Sequence, residues 1–318
     1  MKTAFSLCVL LPAIFAQSST TEYTHDLNGN LVPVERTVDT KSNGAASQTQ
    51  MEPSINGGSV PREKVDEKIL QNGPNHKIIE RTVRPYDATG DPGQPEKILI
   101  DEETRPDGSS TTKTTVYRGD INGTMQITQR STTESHKQGS DVNATTVVER
   151  PSLSGEFTPV ERRQSVEQSN TGGMHQSVEI YRVNANGQFY EAAREVTDRE
   201  KKDGVVTANT AVYSVGLDGQ MQFASQNVQK TTKNPDGSER VEVDIFAKNV
   251  PGTVGESGAK PELKAQQIVE RRKGAGNTVI ETLSERRPSI NDPAHLGSPE
   301  KISETICTGK CGGSDPQP

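Results

Sequence analysis

Apolar residues in this chain form neither long runs nor 3.6-residue stripes. They come in short alternating tracts, and turn residues break the tracts at a fixed interval. Val116-Tyr117-Arg118 lies seven to five residues before Gly123, and Val148-Glu149-Arg150 stands in the same relation to Gly155. Ile180-Tyr181-Arg182 does so for Gly187, and Val212-Tyr213-Ser214 for Gly219. These glycines are 32 residues apart; Gly252 follows at 33, and Gly90, Gly58 and Gly29 extend the series backwards. A second series (Gly44, Gly73, Gly108, Gly139, Gly172, Gly204, Gly237) runs between them, so a turn signal recurs about every 16 residues.

Asn-Gly or Asp-Gly occurs ten times, where composition alone gives about three, and this dipeptide is the strongest short hairpin signal. Between the turns lie Val, Ile and Thr, which suit a pleated surface. Each 32-residue period therefore predicts two antiparallel strands. Apolar positions fall at even offsets on both sides of the anchor glycine: Tyr213, Val215 and Leu217 before Gly219, Met221 and Phe223 after it. Even facing even requires an odd-length loop. A three-residue type I turn with a left-handed Gly and a bulge meets that need. One face of each hairpin then carries a thin apolar stripe and the other is mostly Thr, Gln, Glu and Arg. A lone hairpin is marginal in water, so the units must support one another. The expected fold is all-β: tandem antiparallel hairpins in an elongated, coiled or rolled sheet with frayed ends.

Composition narrows the class. Of 318 residues, 29% are hydrophobic and 4% aromatic, there is no Trp, and the formal net charge is −7. That balance excludes a membrane helix bundle and a nucleic-acid binder driven by positive charge. An outer-membrane barrel needs a lipid-facing apolar band and aromatic girdles, and six Tyr with six Phe are too few to build them.

Residues 1–16 read as a secretory signal: Lys2, an apolar run from Ala4 to Phe15, and the small Ala16 before Gln17. The run is shorter than the ~20 residues a spanning helix needs. The expected organisation is a signal over 1–16, a hairpin-repeat region over 17–250, and over 251–318 an inserted loop, a degenerate last repeat and a tail. The expected location is outside the cytoplasm, secreted or periplasmic or at the cell surface. After cleavage two cysteines remain, Cys307 and Cys311, and in an oxidising compartment a local disulfide is the first expectation.

Motifs of chemistry are sparse. No phosphate loop, His-Glu-x-x-His or Gly-x-Ser-x-Gly occurs, and the five histidines have no ligand spacing. No catalytic, metal or cofactor-binding residue is assigned, and no cofactor is expected. Asp26-Leu27-Asn28-Gly29-Asn30 offers oxygen ligands for Ca²⁺ without EF-hand spacing. Arg118-Gly119-Asp120 matches a tripeptide that adhesion receptors read, but it aligns with Arg182-Val183-Asn184 and so fits drift within a repeat. Glu-Arg dipeptides recur at 35–36, 80–81, 149–150, 161–162 and 270–271, as expected of cross-strand ion ladders.

The functional expectation is an exported, non-enzymatic scaffold or binding surface at the envelope or outside the cell. Its partner is unknown; an envelope polymer is the first candidate. A polysaccharide- or surface-binding module is the alternative, and a hydrolase with an unrecognised site the second. The exported form should begin within about two residues of Gln17; an intact mass that retains Met1 refutes the signal. Cys307 and Cys311 should take up an alkylating label only after reduction, and free labelling of both removes the disulfide.

Overall fold

A computed structural model describes residues 18–25, 31–42, 44–53, 58–120, 122–216, 218–247, 261–276, 278–289 and 292–309. Residues 1–16, the Asp26–Asn30 stretch, most of the Pro251–Pro261 segment and Cys311 lie outside these residues. Among the described residues all regular structure is β. The strands are β1 (Ser18–His25), β2 (Leu31–Ser42), β3 (Ala45–Pro53), β4 (Ser59–Asn72), β5 (His76–Pro85), β6 (Glu96–Thr104), β7 (Ser110–Gly119), β8 (Met125–Gln138), β9 (Asp141–Pro151) and β10 (Phe157–Ser169). They continue as β11 (Gly173–Val183), β12 (Phe189–Lys202), β13 (Val205–Val215), β14 (Met221–Lys233), β15 (Glu239–Ala247), β16 (Glu262–Lys273) and β17 (Thr278–Arg286). The last three are β18 (Pro288–Ser289), β19 (Asp292–Leu296) and β20 (Glu300–Gly309).

Each strand from β1 to β17 pairs antiparallel with the next. The small β18–β19 hairpin lies outside the main sheet, and β17 passes to β20. The last strand then pairs with the first over seven residues, from Ser18↔Gly309 to Thr24↔Ser303. The sheet is thus a closed 18-stranded, up-and-down barrel. The antiparallel hairpins are as expected, but closure replaces the expected elongated, coiled or rolled sheet with frayed ends. An open sheet leaves two rows of unpaired N–H and C=O groups, and closure removes both. The irregular C-terminal region is part of the wall, since β16, β17 and β20 complete the ring.

The turns explain the period. Gly187 N–H donates to Asn184 O at 3.0 Å, and Asn184 N–H donates to Gln188 O at 2.9 Å. Gly187 has φ 78°, a left-handed conformation that costs a residue with a Cβ. The same pair of bonds forms around Gly123, Gly155 and Gly219, which is the expected three-residue turn. At the other barrel end Asp203 and Gly204 both have positive φ, 52° and 80°, in a two-residue loop flanked by Lys202↔Val205. Gly108 and Gly237 repeat the three-residue design there. Gly58, Gly73 and Gly172 do not adopt positive φ, so the glycine series is broader than the one mechanism inferred for it.

A second regularity follows each anchor turn. The register slips by one residue at Thr128, Val160, Ala192 and Ala224, each five residues after its glycine. Corresponding slips occur at Val34, Arg62, Lys264 and Ile302. A bulge bends its strand and increases local twist, so bulges repeated near one rim curl the sheet towards closure.

Among the described residues the barrel shows no packed core. The buried residues among those described are Ile79, Ala265, Ile268, Ser109, Thr111, Thr231 and Ser303. Eighteen strands at ~4.8 Å spacing and ~40° tilt give a circular barrel roughly 35 Å across, backbone to backbone. A flattened barrel would press one face onto itself and bury it. With so few residues buried, the interior stands open to water. Stability then rests on the closed ladder and on side-chain pairs along each face, each worth about 0.2–1 kcal/mol.

One such pair is unfavourable. Glu22 and Glu35 face each other across β1 and β2. Burial, then Glu22, pushes the Glu35 carboxyl above its ordinary value, with Arg62 opposing. A raised folded pKa favours the protonated fold, so this contribution is full in acid and lost as pH rises through the folded value. Glu35→Gln should therefore stabilise the neutral-pH barrel by about 0.5 kcal/mol, with the gain vanishing in acid; a variant less stable than the parent at pH 7 in urea refutes this.

Asp107 and Asp236 behave oppositely. The Ser109 and Ser238 hydroxyls and N–H groups hold their carboxyls below the ordinary range. Their contribution is present above that range and is lost as pH falls through the lowered values.

Deletions test the ring. Removing 188–219 joins Gly187 to Gln220, restores the turn, and leaves 16 strands that can still close. Removing 188–203 deletes one strand and leaves an odd number, which cannot close antiparallel. The first deletion should unfold cooperatively and the second should not; equal behaviour in thermal melts would mean that the strand pair is not the unit.

Candidate binding surface

Directly paired residues of neighbouring strands share a face, so the register sorts side chains into two faces, one lining the interior and one turned outward. Thr132, Val147, Arg162, Tyr181 and Glu191 form one row across β8–β12. Glu134, Thr145, Gln164, Glu179, Arg194, Tyr213 and Phe223 form the next row on the same face, which reaches β14. The apolar stripe expected from sequence is therefore real in this region: Tyr213 meets Phe223 edge to face at 5.9 Å, and Val215 pairs with Met221.

Sequence reading missed what stands on that stripe. Arg130, Arg162 and Arg194 recur at the 32-residue interval. The Arg130 guanidinium lies 4.0 Å from the centre of the Phe157 ring, reaching from β8 over β9 to β10. Arg162 lies 4.7 Å from the Tyr181 ring and 5.0 Å from that of Phe189, reaching from β10 to β12. Arg130 and Arg162 thus each clasp a ring of the next repeat 27 residues on, whereas the corresponding position for Arg194 is Met221. The signal was present in the 32-residue spacing of the arginines, but an isolated Arg gives no hint that a ring two strands away will meet it.

The three arginines differ in their partners. Arg194 bonds Glu191 at 2.8 Å and approaches Glu179 at 3.3 Å, and Glu179 also accepts the Tyr181 hydroxyl at 2.7 Å. The hydrogen bond to Glu191 holds Arg194 firmly protonated, and the bond to Glu179 raises the Tyr181 phenol above its ordinary value. Arg130 and Arg162 have no described carboxylate within ion-pair distance, although Glu149 sits opposite Arg130 in the register. Arg162 Nε is buried with no hydrogen-bond partner, so stacking holds this guanidinium in place. Around the same rim Met125, Leu153, Phe189 and Tyr190 are exposed.

The other features singled out from sequence resolve into structure. Asp120 of Arg118-Gly119-Asp120 accepts the N–H groups of Asn122 and Thr124 at 2.8 and 2.9 Å. Asn184 does the same for Asn186 and Gln188, and Arg118 bonds Glu96. The tripeptide is a turn position of the repeat. Members of a Glu-Arg dipeptide alternate between faces and bind elsewhere: Glu80 to Lys97, Arg81 to Glu67, Glu161 to Arg163, and Arg271 to Glu281. Cys307 lies in β20 and is disulfide-bonded; Cys311 falls outside the described residues. His76 bonds Asp101 and Gln71, which engages both ring nitrogens, and His175 bonds Asp198. Among the described residues no three His, Cys, Asp or Glu side chains gather as a metal site.

A shallow cavity of about 330 Å³ lies between β2 and β5, with Thr40, Ser47, Asp66, Lys68, Glu80 and Thr82 among its walls. Its acidic residues pair with cations outside its lining, Asp66 with Lys64 and Glu80 with Lys97; against the effect of burial, Ser47 and Lys64 hold Asp66 below the ordinary range.

No family model matches the chain, and no curated protein matches it in sequence.

The clasp makes a measurable claim. In a double-mutant cycle of Arg162→Ala and Phe189→Ala, equilibrium unfolding should return a coupling of about 0.5–1 kcal/mol. Zero coupling would mean that the guanidinium and the ring are neighbours without attraction.

Proposed function

We propose that the protein is an exported, non-enzymatic β-repeat scaffold whose surface binds a component of the cell envelope or of the extracellular space. The observation that carries this reading is the repetition of one side-chain arrangement across β8–β14, with no single site concentrating the unusual groups. A distributed surface gains strength from the number of its weak contacts. A leader-like start and a paired cysteine near the C-terminus support export. Charged pairs occur on both faces, for example Arg194–Glu179 on one and Arg81–Glu67 on the other. A wall of this kind suits water on both sides and lacks the apolar band of a lipid-facing barrel. No helix among the described residues is long and apolar enough to cross a membrane.

Immobilised full-length mature protein should retain isolated envelope polymers or whole cells. Any single carboxylate-to-amide change should lower retention by no more than about twofold, because many weak contacts share the load. Complete loss on one such change would point to a discrete site and favour the hydrolase or a specific receptor.

A further inference from the structure

From the arginine–aromatic clasps we infer the class of ligand: an acidic polysaccharide, whose sugar carboxylates or sulfates are taken by Arg130 and Arg162. The inference rests on the binding-surface reading and adds its substrate chemistry. Three observations carry it. Both guanidinium groups are stacked on rings, Phe157 for Arg130 and Tyr181 with Phe189 for Arg162. Neither has a described carboxylate within ion-pair distance, although Arg194, the third member of the series, has two. And no described residue hydrogen-bonds the Nη groups of Arg162, while its buried Nε lacks a partner.

A stacked guanidinium has already lost much of its rotational freedom. Its planar fork is then presented for bidentate capture of a carboxylate or sulfate with little further ordering. Exposed Phe189 beside it, on the same face, supplies flat apolar surface for the sugar ring.

Spacing and charge select the polymer. Arg130 in β8 and Arg162 in β10 stand two strands apart, and Arg162 is level with Thr132, two residues further along β8, which puts the two arginines about 12 Å apart. That is close to the length of two sugar units, so in a polyuronate with one carboxylate per sugar every second acid group meets one guanidinium. A nucleic acid presents a far denser line of charge, about one phosphate per 1.7 Å of duplex. Two arginines set in a chain of net charge −7 match a sparse polyanion better than a dense one.

The test is affinity electrophoresis of the full mature chain through gels containing polygalacturonate, neutral dextran or duplex DNA. Retardation by polygalacturonate alone is expected, and the double variant Arg130→Gln/Arg162→Gln should bind at least tenfold more weakly. A control double variant, Arg118→Gln/Arg182→Gln, removes two arginines of the opposite face and should bind like the parent. Thermal melts establish that each variant is folded. If the first variant unfolds, the intact chain decides the matter: added polygalacturonate should shift the Arg162 Nε–H resonance, and dextran should not.

Equal binding by both double variants, an unmoved Arg162 signal, or preference for DNA overturns the inference. Retention on dextran or other envelope polymers with none on polygalacturonate overturns the ligand class and leaves the binding-surface reading standing. Retention on no polymer at all overturns both.

Discussion

The backbone ladder between the first and last strands, where Thr20 faces Cys307, is the contact on which the barrel depends. Ordinary domains hold together through an apolar interior, and here few of the described side chains are buried. Each strand is held by the two beside it. In an open sheet the end strands would have one neighbour each, and the wall would fray inward from both edges. Closing the ring gives every strand of the wall two neighbours and leaves no free edge. The cost is topological, since the strand number must be even and the last strand must return to the first.

Curvature is how the chain meets that condition. The glycine turns set the antiparallel register, and the bulge five residues later bends the returning strand near the same rim. Turn and bulge repeat together, so the local geometry of one unit sets the curvature of the whole. The C-terminal segment breaks the rhythm: β17 reaches β20 through a connection that carries the small β18–β19 hairpin. The ring still closes because β20 lies antiparallel to both β17 and β1.

Much of this was legible in the sequence, and for local reasons. Asn-Gly and Asp-Gly mark turns through the backbone freedom of glycine. Alternation marks strands, and the parity of Tyr213, Val215, Met221 and Phe223 marks the three-residue turn. Closure was not legible, because the pairing of Thr20 with Cys307 spans nearly the whole chain and neither residue carries a mark of it. The bulge row was equally hidden: Thr128, Val160, Ala192 and Ala224 share a spacing but no chemical type that announces a bulge. The stacked arginines lay in plain view as a 32-residue series. Their role depends on a ring reached over an intervening strand, which only the register reveals.

A repeated wall also constrains how binding can arise. A site built by convergence needs residues from different directions, as in a cleft between packed layers. This barrel has a single layer, and its hydrogen bonds and ion pairs run along strands or between neighbours. What such a wall offers is translation: the same arginine, ring and carboxylate offered again one hairpin later. Small differences between repeats then decide where the surface is available. Arg194 is neutralised by Glu179 and Glu191, whereas the position opposite Arg162 in β9 is Val147, which leaves that guanidinium to the rings. An apolar side chain in place of a carboxylate at the position opposite, Val147 for Glu179, thus separates an arginine stacked on rings without an ion pair from one that ties neighbouring strands together.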